Sequence, residues 1–216
     1  MFFENKIQNI YNKLLTLLSL MKKINAKTLN NIPNQIEKLS TGVNKLPLHV
    51  DRSISVMTVN EFKDAVKIGS HVFYKHPNLT VAAIPGKITS IDREAFRYCE
   101  NLTSISILNG VTSIGSQAFA NCRNLSNISI SDSITSIGSN AFYDTAYYNT
   151  RSNWDDDNIM LYIGNHLVAV RNTLLLDTAY VKPGTKTLAD NVFDSEDFKG
   201  IIIPDSVTNI GIYAFS

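Results

Sequence analysis

The chain has 216 residues, with 20 basic and 19 acidic side chains and a formal charge of +1. Charges so balanced, and spread along the whole sequence, give no electrostatic reason to expect nucleic acid or an acidic membrane as a partner. Two cysteines, Cys99 and Cys122, are too few for a disulfide framework, while abundant Asn, Ser, Thr and Ile suit a β-rich chain.

The first stretch, "MFFENKIQNIYNKLLTLLSLMKKINAK", does not read as a targeting segment. Its apolar run from Leu14 to Met21 is interrupted by Thr16 and Ser19 and is followed by Lys22 and Lys23 in place of a small-residue cleavage site. It also falls short of the ~20 apolar residues of a membrane span. Phe3, Ile7, Ile10, Leu14, Leu17, Met21 and Ile24 alternate in steps of four and three, a heptad seam that predicts a coiled-coil helix joining copies of the chain. A second set, Ile32, Ile36, Leu39, Val43 and Leu46, again in steps of four and three and with Pro33 placed where a helix can begin, offers the alternative of an antiparallel hairpin inside one chain. Residues 1–46 are therefore expected to be a helical assembly or docking segment. Residues 47–67 are expected to be a linker and a capping helix near 60–67, signalled by the capping-box spacing of Thr58 and Glu61.

From Ile68 onward the sequence repeats. Phe73, Phe96, Phe119 and Phe142 are 23 residues apart, as are Ile68, Ile91, Ile114 and Ile137, and Leu79, Leu102 and Leu125. Within a unit, L-x-x-I-x-I turns Leu102, Ile105 and Ile107 inward on a short strand, and the "AF" pair belongs to a short helical or turn segment. Such units cannot bury their apolar faces alone, so they stack as a solenoid. In the phrase "NGVTSIGSQAFANC", Val111, Ile114, Ala118 and Phe119 face inward and Gly115 relieves a bend. An insertion at about 143–180 carries the polar aromatic stretch "AYYNTRSNWDDDN" and two β-prone runs joined at Gly164 and Asn165, a hairpin signal. Phe193 and Phe215 resume the Phe column. The sequence stops at Ser216 part-way through a unit, so its apolar edge is expected to need a cap, a partner or a second copy.

The words "ITSIDREAFRYCENLTSISI", "VTSIGSQAFANCRNLSNISI" and "IIIPDSVTNIGIYAFS" resemble the BspA-type, or treponemal-class, leucine-rich repeats, and "LYIGNHLVAV" resembles the hairpin those proteins carry. The resemblance covers residues 68–216. It implies a β-rich leucine-rich-repeat solenoid with an inserted hairpin, and with the helical segment read from the heptads the chain is expected to be α+β. The resemblance also implies a non-enzymatic binder without cofactor, since the family comprises cell-surface proteins that attach to host matrix or to other cells, with related repeats in phage tails. Surface members of the family normally carry a secretion signal and do not normally begin with a heptad helix, two departures that point toward an assembly protein. A heptad helix before such a head resembles an oligomeric phage tail fibre or baseplate appendage whose head contacts a host surface or another virion protein. The alternative is a cell-surface adhesin that binds a protein or glycan.

No residue set reads as catalytic. Ser116 lies outside any G-x-S-x-G, and its counterparts in other units are Arg93, Ser139 and Ile212. His49, His71, His76 and His166 pair with no nucleophile in the sequence, and Asp155–Asn158 lacks calcium-loop spacing. His76, Cys99 and Cys122 share one slot in successive units, where a straight ladder suits buried reduced thiols better than a tetrahedral metal site. The candidate contact residues are the outward hydroxyl and amide row Thr103, Ser104, Ser106, Ser126, Asn127 and Ser129. The aromatics Tyr147, Tyr148 and Trp154 of the insertion are a second candidate, or else they pack that loop onto the solenoid.

Overall fold

The computed structural model describes residues 51–58, 62, 65–171, 176–194 and 198–216. The heptad seam from Phe3 to Ile24 and the second set from Ile32 to Leu46 lie outside these residues. Eight short strands, β1 (Val56–Met57), β2 (Lys67–Ile68), β3 (Val81–Ile84), β4 (Ser90–Ile91), β5 (Ser104–Ile107), β6 (Ser113–Ile114), β7 (Asn127–Ile130) and β8 (Ser136–Ile137), alternate between two parallel ladders. The first ladder runs β1-β3-β5-β7 and the second β2-β4-β6-β8. Register follows the sequence period: Val81 lies against Ser104 and Ser104 against Asn127, while Ser90 lies against Ser113 and Ser113 against Ser136. Leu102, Ile105 and Ile107 are buried, as the L-x-x-I-x-I pattern requires.

Two expectations at the first end are corrected. Residues 47–57 are not a linker throughout, because Val56 and Met57 pair with Val81 and Ala82 and open the first ladder. The helix near 60–67 is absent from its described part. Phe62 closes a turn by accepting at its carbonyl from Ala65 N–H (3.1 Å), and Lys67 begins a strand. Pairing of Lys67 and Ile68 with Ser90 and Ile91 extends the backbone at that end of the expected helix.

The third arm of each rung is a tight turn, not a helix, and its backbone bonds run the other way. On the strand arms a later rung donates to an earlier one, as Thr112 N–H does to Thr89 O (2.9 Å). On the turn arm the earlier rung donates, as Phe96 N–H does to Ala118 O (2.8 Å) and Phe119 N–H to Ala141 O (2.8 Å). Left-handed residues flank each Phe and aim these peptide groups along the axis: His71 and Lys75, Glu94 and Tyr98, Gln117 and Asn121, Asn140 and Asp144, all with φ between 52° and 61°. The phenyl rings stack at centroid distances of 4.7 Å (Phe73–Phe96), 5.0 Å (Phe96–Phe119) and 5.4 Å (Phe119–Phe142). Gly115 has a reason other than a bend, since a Cβ there would sit 2.5 Å from Arg93 N. Glycine lets one rung settle onto the rung before it.

The insertion opens with α1 (Ala146–Asn149), capped by Thr145 Oγ1, which accepts from Tyr148 N–H at 3.0 Å. A 3-10 turn, Arg151–Asn153, follows. β9 (Met160–Ile163) and β10 (His166–Val170) then form an antiparallel hairpin, with Gly164 at φ +58° where the sequence placed its turn. Past it come β11 (Thr178–Tyr180), β12 (Thr187–Leu188), β13 (Gly200–Ile202) and β14 (Asn209–Ile210). β11 pairs with β13, and β12 lies between β10 and β14, all in parallel. The hairpin interrupts both ladders: β7 ends the first and β8 the second, and β12 takes β10 as its ladder partner. On the second arm the fifth rung rests directly on the fourth, with Asp190 N–H donating to Ile137 O (2.8 Å) and Thr187 Oγ1 to Ile134 O (3.0 Å). The first ladder stops at β7 and restarts at β11.

Candidate binding face

Strand alternation turns every second residue of the first ladder outward. Two columns result. One runs Val56, Val81, Ser104, Asn127 and the other Ala83, Ser106, Ser129, each step being a direct register pair. Ser104 and Ser106 are half-buried, whereas Asn127 and Ser129 are exposed. The face therefore grades from apolar on the early rungs to hydroxyl and amide groups on the later ones. Val56, Val81 and Ala83 escape a search for polar rows, yet β1–β3 pairing places them in the same columns. The sequence signal for them was the 23-residue step from Ser104 back to Val81.

Thr103 does not belong with these side chains. Its Oγ1 donates to Thr80 O one rung earlier (3.0 Å), as Thr80 Oγ1 does to Ser55 O (2.8 Å). Thr89, Thr112 and Thr135 repeat the device on the second ladder at 3.1, 3.0 and 3.2 Å. These threonines brace rung against rung. Ser126, in the slot of Thr103, is exposed and lies at the margin of the face.

The aromatics of the insertion pack inward. Trp154 is only 5% exposed, donates Nε1–H to Tyr148 O (2.7 Å) and carries the Arg171 guanidinium 3.8 Å above its ring. Tyr147 is half-buried and donates its hydroxyl to Tyr162 O (3.0 Å), while Tyr148 meets Tyr143 and Trp154 edge-on. The structure thus assigns Trp154 to packing of the loop, because burial removes its ring from any partner's reach.

Cys99 and Cys122 are free and buried, each thiol donating to the phenylalanine carbonyl 26 positions before it, at 2.9 Å (Phe73) and 3.1 Å (Phe96). Burial pushes the Cys122 thiol well up, so it holds its proton. His76 fills the same slot on the first full rung. Its Nδ1 accepts from Leu79 N–H (3.1 Å) and its Nε2–H donates to Asp51 O (3.3 Å). Ser116 lines a shallow polar groove with Ser70, Asp92, Arg93, Ser113 and Ser136. No His lines this groove. Asp155 folds back within its own turn, its Oδ1 accepting from Ile159 N–H (2.7 Å). Among the described residues no three His, Cys, Asp or Glu side chains gather as a metal site, and no helix is long and apolar enough to cross a membrane.

Comparison with known proteins agrees with this architecture. The family described as "BspA type Leucine rich repeat region" matches residues 53–167 and 168–216 in six copies. No curated protein matches the sequence. Among solved structures, a leucine-rich cell surface protein from Faecalibacterium prausnitzii is similar at 31% identity, covering 69% of this chain and 34% of its own, with a TM-score of 0.39. A leucine-rich repeat protein of T. pallidum is similar at 20% identity, with 68% and 66% coverage and a TM-score of 0.39. One from Bacteroides ovatus is similar at 18% identity, with 68% and 55% coverage and a TM-score of 0.23. The chain thus spans about a third of the length of the F. prausnitzii protein and 66% of that of the T. pallidum protein.

Proposed function

Because the chain belongs to the BspA-type leucine-rich repeat family, we propose that it is a non-catalytic binding protein whose first ladder recognises a protein or glycan on a cell surface. One observation carries this reading: two continuous outward columns, from Val56 to Asn127 and from Ala83 to Ser129, in fixed rung-to-rung register. The strands are held by ladder bonds whether or not a partner is present. Recognition by such a face needs little reordering of backbone, and association avoids much of that entropy.

The double variant Ser106→Arg/Ser129→Arg puts two large cations on the columns without touching the core. Binding of labelled protein to immobilised matrix proteins, to a glycan panel and to whole bacterial cells is expected to fall by about tenfold or more on the surface that wild type selects. Asp157→Arg, on the exposed turn of the insertion, is expected to bind as wild type does. Equal loss in both variants, or none in the double variant, overturns the face.

The heptad spacing from Phe3 to Ile24 supports a second, finer reading, an oligomeric tail-type appendage. Sedimentation of the full chain distinguishes it from an adhesin acting as a single copy: a trimer or larger supports the appendage, and a monomer removes it.

A further inference from the structure

We propose that the β9–β10 hairpin is an acid-released wedge: when His166 takes up a proton, the seam between the hairpin and the fourth rung opens and uncovers the outer edge of β7.

His166 begins β10 and is fully buried. Its Nε2 lies 3.2 Å from Ser131 O, a carbonyl that can only accept, so Nε2 carries the hydrogen and Nδ1 a lone pair. Nδ1 is buried and has no hydrogen-bond partner. A second proton would have to sit there, as a charged N–H in a dry place without an acceptor, a strongly unfavourable arrangement relative to water. The ring escapes that cost by reaching solvent.

The charged groups facing the ring come from both flanking rungs. Asp132, after β7, favours the protonated ring, but its carboxylate already accepts from Lys186 Nζ (2.7 Å) and Asn165 Nδ2 (3.0 Å). Lys186, before β12, opposes protonation. On the hairpin itself His166 pairs with apolar Ile163 and is followed by apolar Leu167, and the Tyr162 phenol stays neutral because burial raises its pKa. Burial holds folded His166 below its ordinary value.

The two sides of the hairpin are held unequally. Toward the fifth rung it is fixed by ladder bonds, including Ala189 N–H to Leu167 O (3.0 Å) and Lys186 N–H to Asn165 O (2.8 Å). Toward the fourth rung it is not paired with β7, and its seat consists of side-chain bonds: His166 to Ser131 O, Asn165 to Asp132, and Tyr147 to Tyr162 O. Displacing His166 removes one of these and moves the turn that carries another. The seam can open while the second arm stays bonded through Asp190 and Ile137. Half-buried Ile128 and Ile130 on β7 would then be exposed.

Hydrogen exchange of the full chain at pH 7.5, 6.5 and 5.5, corrected for intrinsic rates, tests this. Protection over 126–134 and 160–167 is expected to fall by about tenfold at pH 5.5, one unit below the ordinary imidazole value of about 6.5, while 90–122 keeps its protection. His166→Gln retains a donor for Ser131 O and does not titrate, so its hairpin protection is expected to be the same at all three pH values. His76→Gln is expected to leave the hairpin response intact. An NMR titration of the His166 ring in wild type is expected to have its midpoint below the ordinary value of about 6.5, the pH from which protection begins to fall. The proposal is overturned by a hairpin insensitive to pH, by acid loss that persists in His166→Gln, or by all rungs losing protection together.

Discussion

Gln117 is held at φ +57°, where a residue with a long side chain is strained by about 1–2 kcal/mol, and its Oε1 is buried without a partner. Asn140 and Asn191 occupy the same slot on later rungs, and asparagine tolerates this conformation best after glycine. Gln117→Asn is therefore expected to raise stability by up to about 1 kcal/mol, read as a higher urea midpoint with unchanged slope. Gly138 works in the opposite sense: a Cβ would lie 2.3 Å from Ser116 N, so Gly138→Ala must push two rungs apart and is expected to lower the midpoint clearly. His76 adds a pH dependence. Burial holds its folded pKa below the ordinary 6.5, so the unfolded chain takes the proton first as acid is added. Stability from this site is complete above about pH 6.5 and declines as pH falls toward the folded value. Urea midpoints between pH 8 and pH 5 check this, and His76→Gln should remove part of the decline.

At the scale of elements, the hydrophobic period showed the strands and the hairpin in the sequence, because inward Ile and Leu positions must repeat with each rung. The Phe column was legible for the same reason and stacks as expected. Less legible was whatever depends on pairing with a distant strand. β1 carries only two residues and takes its identity from β3, and Lys67 and Ile68, where the spacing of Thr58 and Glu61 predicts a helix, pair with β4. The turn arm was ambiguous because its left-handed positions hold His, Lys, Glu, Tyr and Gln as often as Asn or Asp, so no glycine marks them. Of the candidate face, Ser104, Ser106, Asn127 and Ser129 were visible as outward strand positions. The bracing role of Thr103 was hidden, since it depends on the carbonyl of Thr80 in the neighbouring rung. Trp154 illustrates a side chain whose role sequence left open: it fastens α1 and Arg171 to the hairpin. Trp154→Ala is expected to cost about 3–5 kcal/mol locally, seen as protease cleavage within 145–171 while a fragment containing 65–142 survives.

Across the whole solenoid each rung touches only its neighbours, so a break in one ladder weakens coupling along the axis. The hairpin makes such a break: the first ladder ends at β7 and restarts at β11, and the second ends at β8, with β12 paired to β10, while Asp190 N–H to Ile137 O still joins the second arm directly. Rungs before the hairpin share two continuous ladders and the Phe73–Phe142 stack, and those after it share the separate pair Phe193–Phe215 at 5.7 Å. Phe119→Ala opens a gap between Phe96 and Phe142 in the continuous block. It is expected to cost about 3–5 kcal/mol and to lower exchange protection together over 68–142. Phe193→Ala is expected to cost a similar amount but to lower protection only over 178–194 and 198–216, leaving 88–122 as in wild type. If Phe193→Ala instead loosened every rung to the same degree, the one remaining arm would be enough to make the solenoid a single cooperative unit, and the hairpin would be an ornament on it and not a joint.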